Sequence, residues 1–356
     1  MSKKILILTA SFGMGHYSVS RAIKEKISST YDTDRIEIVD VLEILDPVFK
    51  KNSQKLYNKL TRDFEELYNV LYYYKRMVKN NWIDEVVYMR YFKGFKQFIE
   101  ASEPDVVIST FPMTSGLSAM YKRRFVADWP LITVITDVID SWEWVHRGTD
   151  LYFVPSTEVR ENLIEKGVKR EQIEVTGIPV KDAFTSSDRY QGHQKKHVLI
   201  FSSAMGKIDL DDDFLKELAA MTTIQFTLVT GSDTALWERL KGKSYKNVTV
   251  LGFVEDVASL MEKSDLIYTK PGGVTLFEAI NKEVPLMLQE TRVGQEKANI
   301  DFVKNRELGV VVPQDASIAD VIKRVITDDV KLYEMKSNMY EFKKELQSDA
   351  ILKAVE

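Results

Sequence analysis

Short runs of β-branched and aliphatic residues alternate along this chain with amphipathic helical stretches, and the alternation starts twice. In the first half KILILTA, RIEIVDV, DVVIST, LITVIT and LYFVP read as buried parallel strands, separated by helical segments such as Ser18–Ile27 and Thr157–Lys166. The series begins afresh at HVLIFS and runs on through IQFTLVTG, NVTVLG, DLIYTK, VPLML and LGVVV. The fold class is therefore α/β, with two doubly wound parallel sheets, Rossmann-like in pattern, facing a cleft at their strand C-termini. The stretch IPVKDAFTSSDRYQGHQKK between them carries neither period and is punctuated by Pro179 and Gly192, which makes it a linker. The expected organisation is an N-terminal domain over 1–178, a linker over 179–196 and a C-terminal domain over 197–330. A closing helical segment, 331–356, is expected to pack back on the first domain.

Composition narrows the function classes. A chain of 356 residues is too long for one ordinary core, and its 44% hydrophobic content suits a soluble globular protein. The net charge of −4 gives no global field for nucleic acid. There is no cysteine, which excludes disulfides, thiolate metal sites and a cysteine nucleophile, and fits a cytoplasmic setting. The apolar start MSKKILILTASFG is short and flows into a glycine loop, so it reads as a first strand rather than a signal peptide. The longest uncharged run, 106–121, holds Pro112, Gly116 and several hydroxyls and is no membrane span.

Each half opens a loop where such sheets bind ligands. After ILILTA comes SFGMGHYSVS, in which Gly13 and Gly15 permit a tight turn and His16 stands near the first turn of the next helix. The third glycine of a dinucleotide fingerprint is absent and Ser18 takes its place. A glycine turn with a surface histidine would read the same way. In the second half DLIYTK runs into Pro271-Gly272-Gly273 and restarts as a helix. Free amides at a helix start carry partial positive charge, so Gly272, Gly273 and the Thr275 hydroxyl suit a phosphate or diphosphate. Glu278, one turn on, suits a pair of vicinal hydroxyls, and Gln295, Glu296 and Asn299 in RVGQEKAN suit the hydroxyls of a sugar. Taken singly, each is also an ordinary helix-start residue; taken together, their spacing favours a ligand.

These fragments carry a resemblance. TKPGGVTLFEA, VPLML and GQEKANIDFV, with LTASFGMGH and VITDVIDSWEWVH, resemble the GT-B glycosyltransferases of family 28, nearest to the monogalactosyldiacylglycerol synthases and processive diacylglycerol glucosyltransferases. The resemblance covers most of the chain and is weakest over 42–100. It implies a UDP-sugar in the C-terminal domain, with Gly272, Gly273 and Thr275 at the diphosphate, Glu278 at ribose, and Gln295 with Glu296 at the hexose. LGFVEDVASLM matches the family's uracil-packing loop and makes Phe253 and Val254 base contacts; Gly206 in SSAMGK would stand at a second phosphate loop. The implied reaction is inverting transfer of glucose or galactose to a membrane lipid alcohol, above all diacylglycerol. His16 would be the base, with Asp137 as its orienting partner or as the alternative base. Trp144 and His146 would join Gly13 and Gly15 on the acceptor side, and a tryptophan there reads equally as a core anchor. A UDP-sugar 2-epimerase and a non-catalytic UDP-sugar sensor are the competing readings.

No cofactor or metal is expected. Asp211 and Asp213 have the Asp-x-Asp spacing of a metal-dependent architecture, but they open an amphipathic helix and read as cap and first-turn charges. Residues 47–98 hold eleven Lys and Arg against five Asp and Glu, with seven of the 16 tyrosines and Trp82. Leu56, Leu60, Phe64, Leu67 and Leu71 form one stripe, with Lys50, Lys51, Lys55 and Lys59 near its N-terminal end. Such a segment suits an anionic membrane surface, and places the protein peripherally on the inner face of the cell membrane. The alternative reading is an excursion packed on its own domain with a solvated basic face. The sequence does not fix an oligomeric state.

Overall fold

The structure, a computed structural model, describes residues 3–10, 14–31, 35–48, 78–79, 82–185, 195–202, 212–291 and 293–356, without the side chains of Met14, Trp82, Ile83 and Gln295. The chain divides into two compact units. The first holds Met1–Asp182 with Arg292–Gln295 and Glu345–Glu356, and the second holds Ala183–Thr291 and Glu296–Lys344.

In the first unit β1 (Ile5–Thr9), β2 (Ile36–Asp40), β3 (Val106–Ser109), β4 (Leu131–Val134), β5 (Leu151–Val154) and β6 (Ile173–Val175) form a parallel sheet in the order β2-β1-β3-β4-β5-β6. Helices α1 (Met14–Thr30), α2 (Val41–Leu45), α3 (Trp82–Ser102), α4 (Pro112–Phe125) and α5 (Thr157–Glu165) follow along the chain, and the short α6 (Asp182–Thr185) falls where the chain passes from the first unit to the second. Register is direct, with Ile7 opposite Ile38 on one side and Ile108 on the other. Leu6, Ile7 and Leu8 are wholly buried because helices cover both faces, which is why these strands read as unbroken apolar runs.

The second unit repeats the plan. Strands β7 (Lys196–Phe201), β8 (Ile224–Val229), β9 (Val248–Leu251), β10 (Leu266–Thr269), β11 (Leu286–Gln289) and β12 (Gly309–Val312) lie parallel in the order β12-β11-β10-β7-β8-β9. Around them run α7 (Asp212–Ala220), α8 (Thr234–Leu240), α9 (Val257–Glu262), α10 (Gly273–Lys282), α11 (Gly294–Asn305), α12 (Ile318–Ile326) and α13 (Asp329–Lys344). In each sheet the first strand has neighbours on both sides, so the connections leave in opposite directions there and open a crevice at the strand C-termini. That crevice falls between β1 and β3 in one unit and between β7 and β10 in the other.

The C-terminal segment is shared. Phe342 of α13 meets Phe277 of α10 and Phe302 of α11 at ring distances of 6.0 and 5.3 Å, so α13 belongs to the second core. Only Glu345–Glu356, with α14 (Ala350–Val355), joins the first unit. Gln347 N–H donates to the Val175 carbonyl at 2.7 Å, and Lys26 pairs with Asp349 at 2.9 Å. The expectation that all of 331–356 packs on the first domain is thus corrected: aromatic burial keeps its helix with the second.

Candidate functional site

Strand β10 is buried throughout and ends at Thr269; exposed Lys270 follows, Pro271 is buried, Gly272 caps α10, and the helix begins at Gly273. Gly272, as N-cap, makes no side-chain cap to the first-turn amides of α10, a position where another acceptor can stand. Gly272 sits at φ −79°, ψ 132°, a conformation open to any residue. A Cβ built there meets only the Cε of Lys270, at 3.8 Å. Neither backbone nor packing demands a glycine, and what it leaves is open space before the amides. Gly309 is the contrast: a Cβ there would lie 2.2 Å from the Leu286 carbonyl oxygen, so that glycine serves the β11–β12 contact.

Thr275 and Glu278 are half-buried, three residues apart on one side of α10. The far end of the helix is held by Lys282, whose side chain is 2% exposed and pairs with Glu262 of α9 at 3.0 Å, a cation suited to a helix C-terminus. Phe253 and Val254 follow β9 at the same sheet edge, and Phe253 is 75% exposed, an aromatic face left for something outside the core. Gly206 lies outside the described residues.

Helix α11 starts after β11, also at that edge. Glu296 is half-buried, and the Gln295 side chain is outside the description. Asn299 departs from its expected role. It is completely buried, and its Nδ2 donates to the Pro271 carbonyl at 2.8 Å. Instead of touching a hexose, it holds the glycine loop.

In the first unit, Gly13 is outside the described residues, Gly15 is exposed, and His16 is half-buried in the first turn of α1, beside the crevice between β1 and β3. Its Nδ1 lies 2.9 Å from the Thr110 carbonyl oxygen and 2.9 Å from the Thr136 hydroxyl. Phe111 meets the ring edge-on at 5.0 Å. Burial lowers the His16 pKa to about 4, opposed by the bond to Thr110, so the ring is neutral at pH 7. Thr110 and Thr136 were not singled out from sequence. Both end apolar strand runs, VVIST and LITVIT, and that position at a crevice edge was the available signal.

Asp137 directly follows Thr136 and is half-buried. Trp144 is 1% exposed, a core anchor under the loop after β4 rather than an acceptor contact. His146 lines a cavity of about 930 Å³ in the first unit, with Tyr88, Gly116, Trp142 and Tyr152. Burial lowers its pKa too, to about 4. Lys50, Lys51, Lys55 and Lys59 lie outside the described residues, and Trp82 opens α3. Of the two acids at metal-binding spacing, Asp213 pairs with Lys216 at 2.8 Å and Asp211 is outside the description. No cluster of three or more potential metal ligands occurs among the described residues.

The family model for monogalactosyldiacylglycerol (MGDG) synthase matches residues 16–180, and that for the glycosyltransferase family 28 C-terminal domain matches 209–350. The "processive diacylglycerol beta-glucosyltransferase" of Bacillus subtilis is 29% identical, over 99% of this chain and 95% of its own length. A protein of the same name from Bacillus cereus is 30% identical, over 94% and 89%. Among solved structures, Acinetobacter baumannii MurG aligns with TM-score 0.62 over 99% of this chain and 98% of its own, at 13% identity, a likeness of fold. The two-sheet plan, the uncapped glycine start of α10 and these matches agree: the chain belongs to glycosyltransferase family 28 and is a glycosyltransferase of GT-B fold.

Proposed function

We propose that this enzyme transfers a hexose, glucose or galactose, from a UDP-sugar to diacylglycerol with inversion at the anomeric carbon, and that it does so without a metal. The observation that carries the donor half is the open, uncapped start of α10, fronted by a glycine that the fold itself does not need. Amides there would take the diphosphate and stabilise its charge as UDP leaves, the part a divalent cation plays elsewhere. Glu278 would grip the ribose hydroxyls and Phe253 would pack on the base. Gln295 and Glu296 are the residues proposed to read the hexose. The acceptor hydroxyl loses its proton to His16 as it attacks. Diacylglycerol as acceptor is supported by the names of the full-length relatives.

An acceptor that stays in the bilayer requires an enzyme that meets the membrane. No described helix is long and apolar enough to cross one. The first unit, however, exposes Val86 and Met89 on α3, Ile44 on α2, Val48 just beyond it, and Phe125 with Val126 at the end of α4. Helix α3 joins these groups: Tyr91 bonds to Asp46 after α2, and Phe92 stacks on Phe125 at 6.4 Å. Arg90, Lys93 and Arg124 are exposed beside them. Val126 has φ 51°, a left-handed conformation that β-branched residues avoid, yet it is 82% exposed, so no packing offsets the strain. Apolar tips ringed by cations suit an anionic bilayer. The donor reading is tested by calorimetry with UDP. Glu278→Ala should weaken binding by about 1–3 kcal/mol through lost charged hydrogen bonds, and unchanged affinity would remove Glu278 from the site.

A further inference from the structure

We infer that Thr136 is a positioning residue which, with the Thr110 carbonyl, fixes His16 in the tautomer that leaves Nε2 bare. The inference rests on reading His16 as the base. A carbonyl oxygen has no proton to give, so the 2.9 Å contact between Thr110 and His16 Nδ1 is a hydrogen bond only if Nδ1 carries the proton. The opposite tautomer would set two lone pairs against each other at that distance. With Nδ1 protonated, the Thr136 hydroxyl, also 2.9 Å away, can only accept, and one N–H forks to two oxygens. The remaining nitrogen, Nε2, keeps a free lone pair.

The supports are themselves held. Thr110 and Thr136 follow adjacent strands, β3 and β4, so the two acceptors come from one rigid sheet edge. Thr110 is wholly buried, its N–H donates to the Leu8 carbonyl at 3.0 Å, and its hydroxyl meets that of buried Ser20 at 3.0 Å. Ser20 in turn donates to the His16 carbonyl at 3.0 Å, one helical turn back. Ring and backbone of His16 are thus tied to the same strand end.

In the transfer, the acceptor O–H bond breaks and its proton goes to Nε2. The freed oxygen pair bonds to the anomeric carbon, and the bond from that carbon to the diphosphate oxygen breaks, its electron pair leaving with UDP. The imidazolium so formed keeps both Nδ1 contacts, which strengthen once the donor is charged. Thr136 therefore acts on the step in which charge develops and not on donor binding.

The test is long-range 1H–15N NMR of histidine-labelled protein at pH 7.5, with the His16 signal assigned by its loss in His16→Gln. The expected spectrum is neutral imidazole with the proton on Nδ1. Thr136→Val removes one of the two acceptors at Nδ1 and frees the ring to turn off the Thr110 carbonyl, so the other tautomer should appear and kcat should fall by roughly tenfold to a hundredfold, as for a misplaced reacting group, with the donor KM within about twofold. Thr136→Ser should restore both. A proton on Nε2 in the unaltered protein, or a Thr136→Val variant with unchanged spectrum and kcat, would overturn the inference. Nδ1 protonation together with normal turnover in His16→Gln would uphold the tautomer and overturn His16 as base.

Discussion

The side-chain amide of Asn299 donates to the backbone carbonyl of Pro271 at 2.8 Å, fully shielded from water, and so ties PGGVTLFEA to GQEKAN. The two fragments point to a ligand together because one holds the other in shape. Asn299→Ala would strand a buried carbonyl at a cost of about 1–3 kcal/mol. We expect a lower Tm and weaker UDP binding, with kcat at saturating donor the least affected. Unchanged UDP affinity alongside a lowered Tm would show that the loop keeps its shape without this bond.

The two glycines Gly272 and Gly309 should respond oppositely to alanine. At Gly309 the new methyl meets a backbone carbonyl at 2.2 Å and cannot be relieved by a side-chain shift, so stability should fall by about 1–3 kcal/mol or more. At Gly272 the methyl finds room, so the Tm should hold while the donor KM rises. Denaturation midpoints and donor titrations on the two variants make the comparison. A destabilised Gly272→Ala with normal donor binding would assign that glycine to the fold.

Most of the architecture is legible in the chain because parallel strands buried on both faces leave apolar runs, as β1 shows in ILILT and β7 in HVLIF. The glycine loop is legible for the same local reason: helix starts and bare backbone adjoin in sequence. Asn299 was misassigned because burial depends on how α11 lies against Pro271, a tertiary relation with no trace in GQEKAN. Thr110 and Thr136 were missed since their 26-residue separation along the chain collapses only when β3 and β4 pair. The last segment was divided wrongly because Phe342 looks like any helical aromatic until Phe277 and Phe302 are seen beside it.

Acid should destabilise the first unit through its two half-buried histidines. His16 and His146 have folded pKa values lowered to about 4, below the unfolded 6.5. The unfolded chain therefore binds protons first as pH falls. Stability from keeping the rings neutral is complete above pH 6.5 and is lost on the way down to pH 4, by at most about 1.4 kcal/mol per pH unit for each histidine. Urea midpoints measured between pH 7.5 and 4.5 should decline less steeply in His146→Gln than in the unaltered protein. Parallel declines would mean that His146 does not contribute.

Membrane attachment should depend on the exposed tips of α3 and α4. Val86→Asp with Met89→Asp should reduce sedimentation with anionic liposomes while leaving UDP affinity intact, and attachment of the unaltered protein should weaken with salt. Val126→Gly should raise the Tm by relieving its left-handed strain and lower liposome binding together. Reversing Lys50, Lys51, Lys55 and Lys59 to Glu should also release the protein. Full binding by all of these variants would place the attachment surface elsewhere.

The most direct measurement supplies labelled UDP-glucose or UDP-galactose to the purified enzyme, with diacylglycerol in anionic vesicles and EDTA present. Label is expected in a hexosyl-diacylglycerol of inverted, β configuration, with one UDP released per hexose transferred and turnover largely lost in His16→Ala. A product formed from UDP-sugar alone, label that never enters lipid, or activity abolished by EDTA and restored by a divalent ion would contradict this expectation.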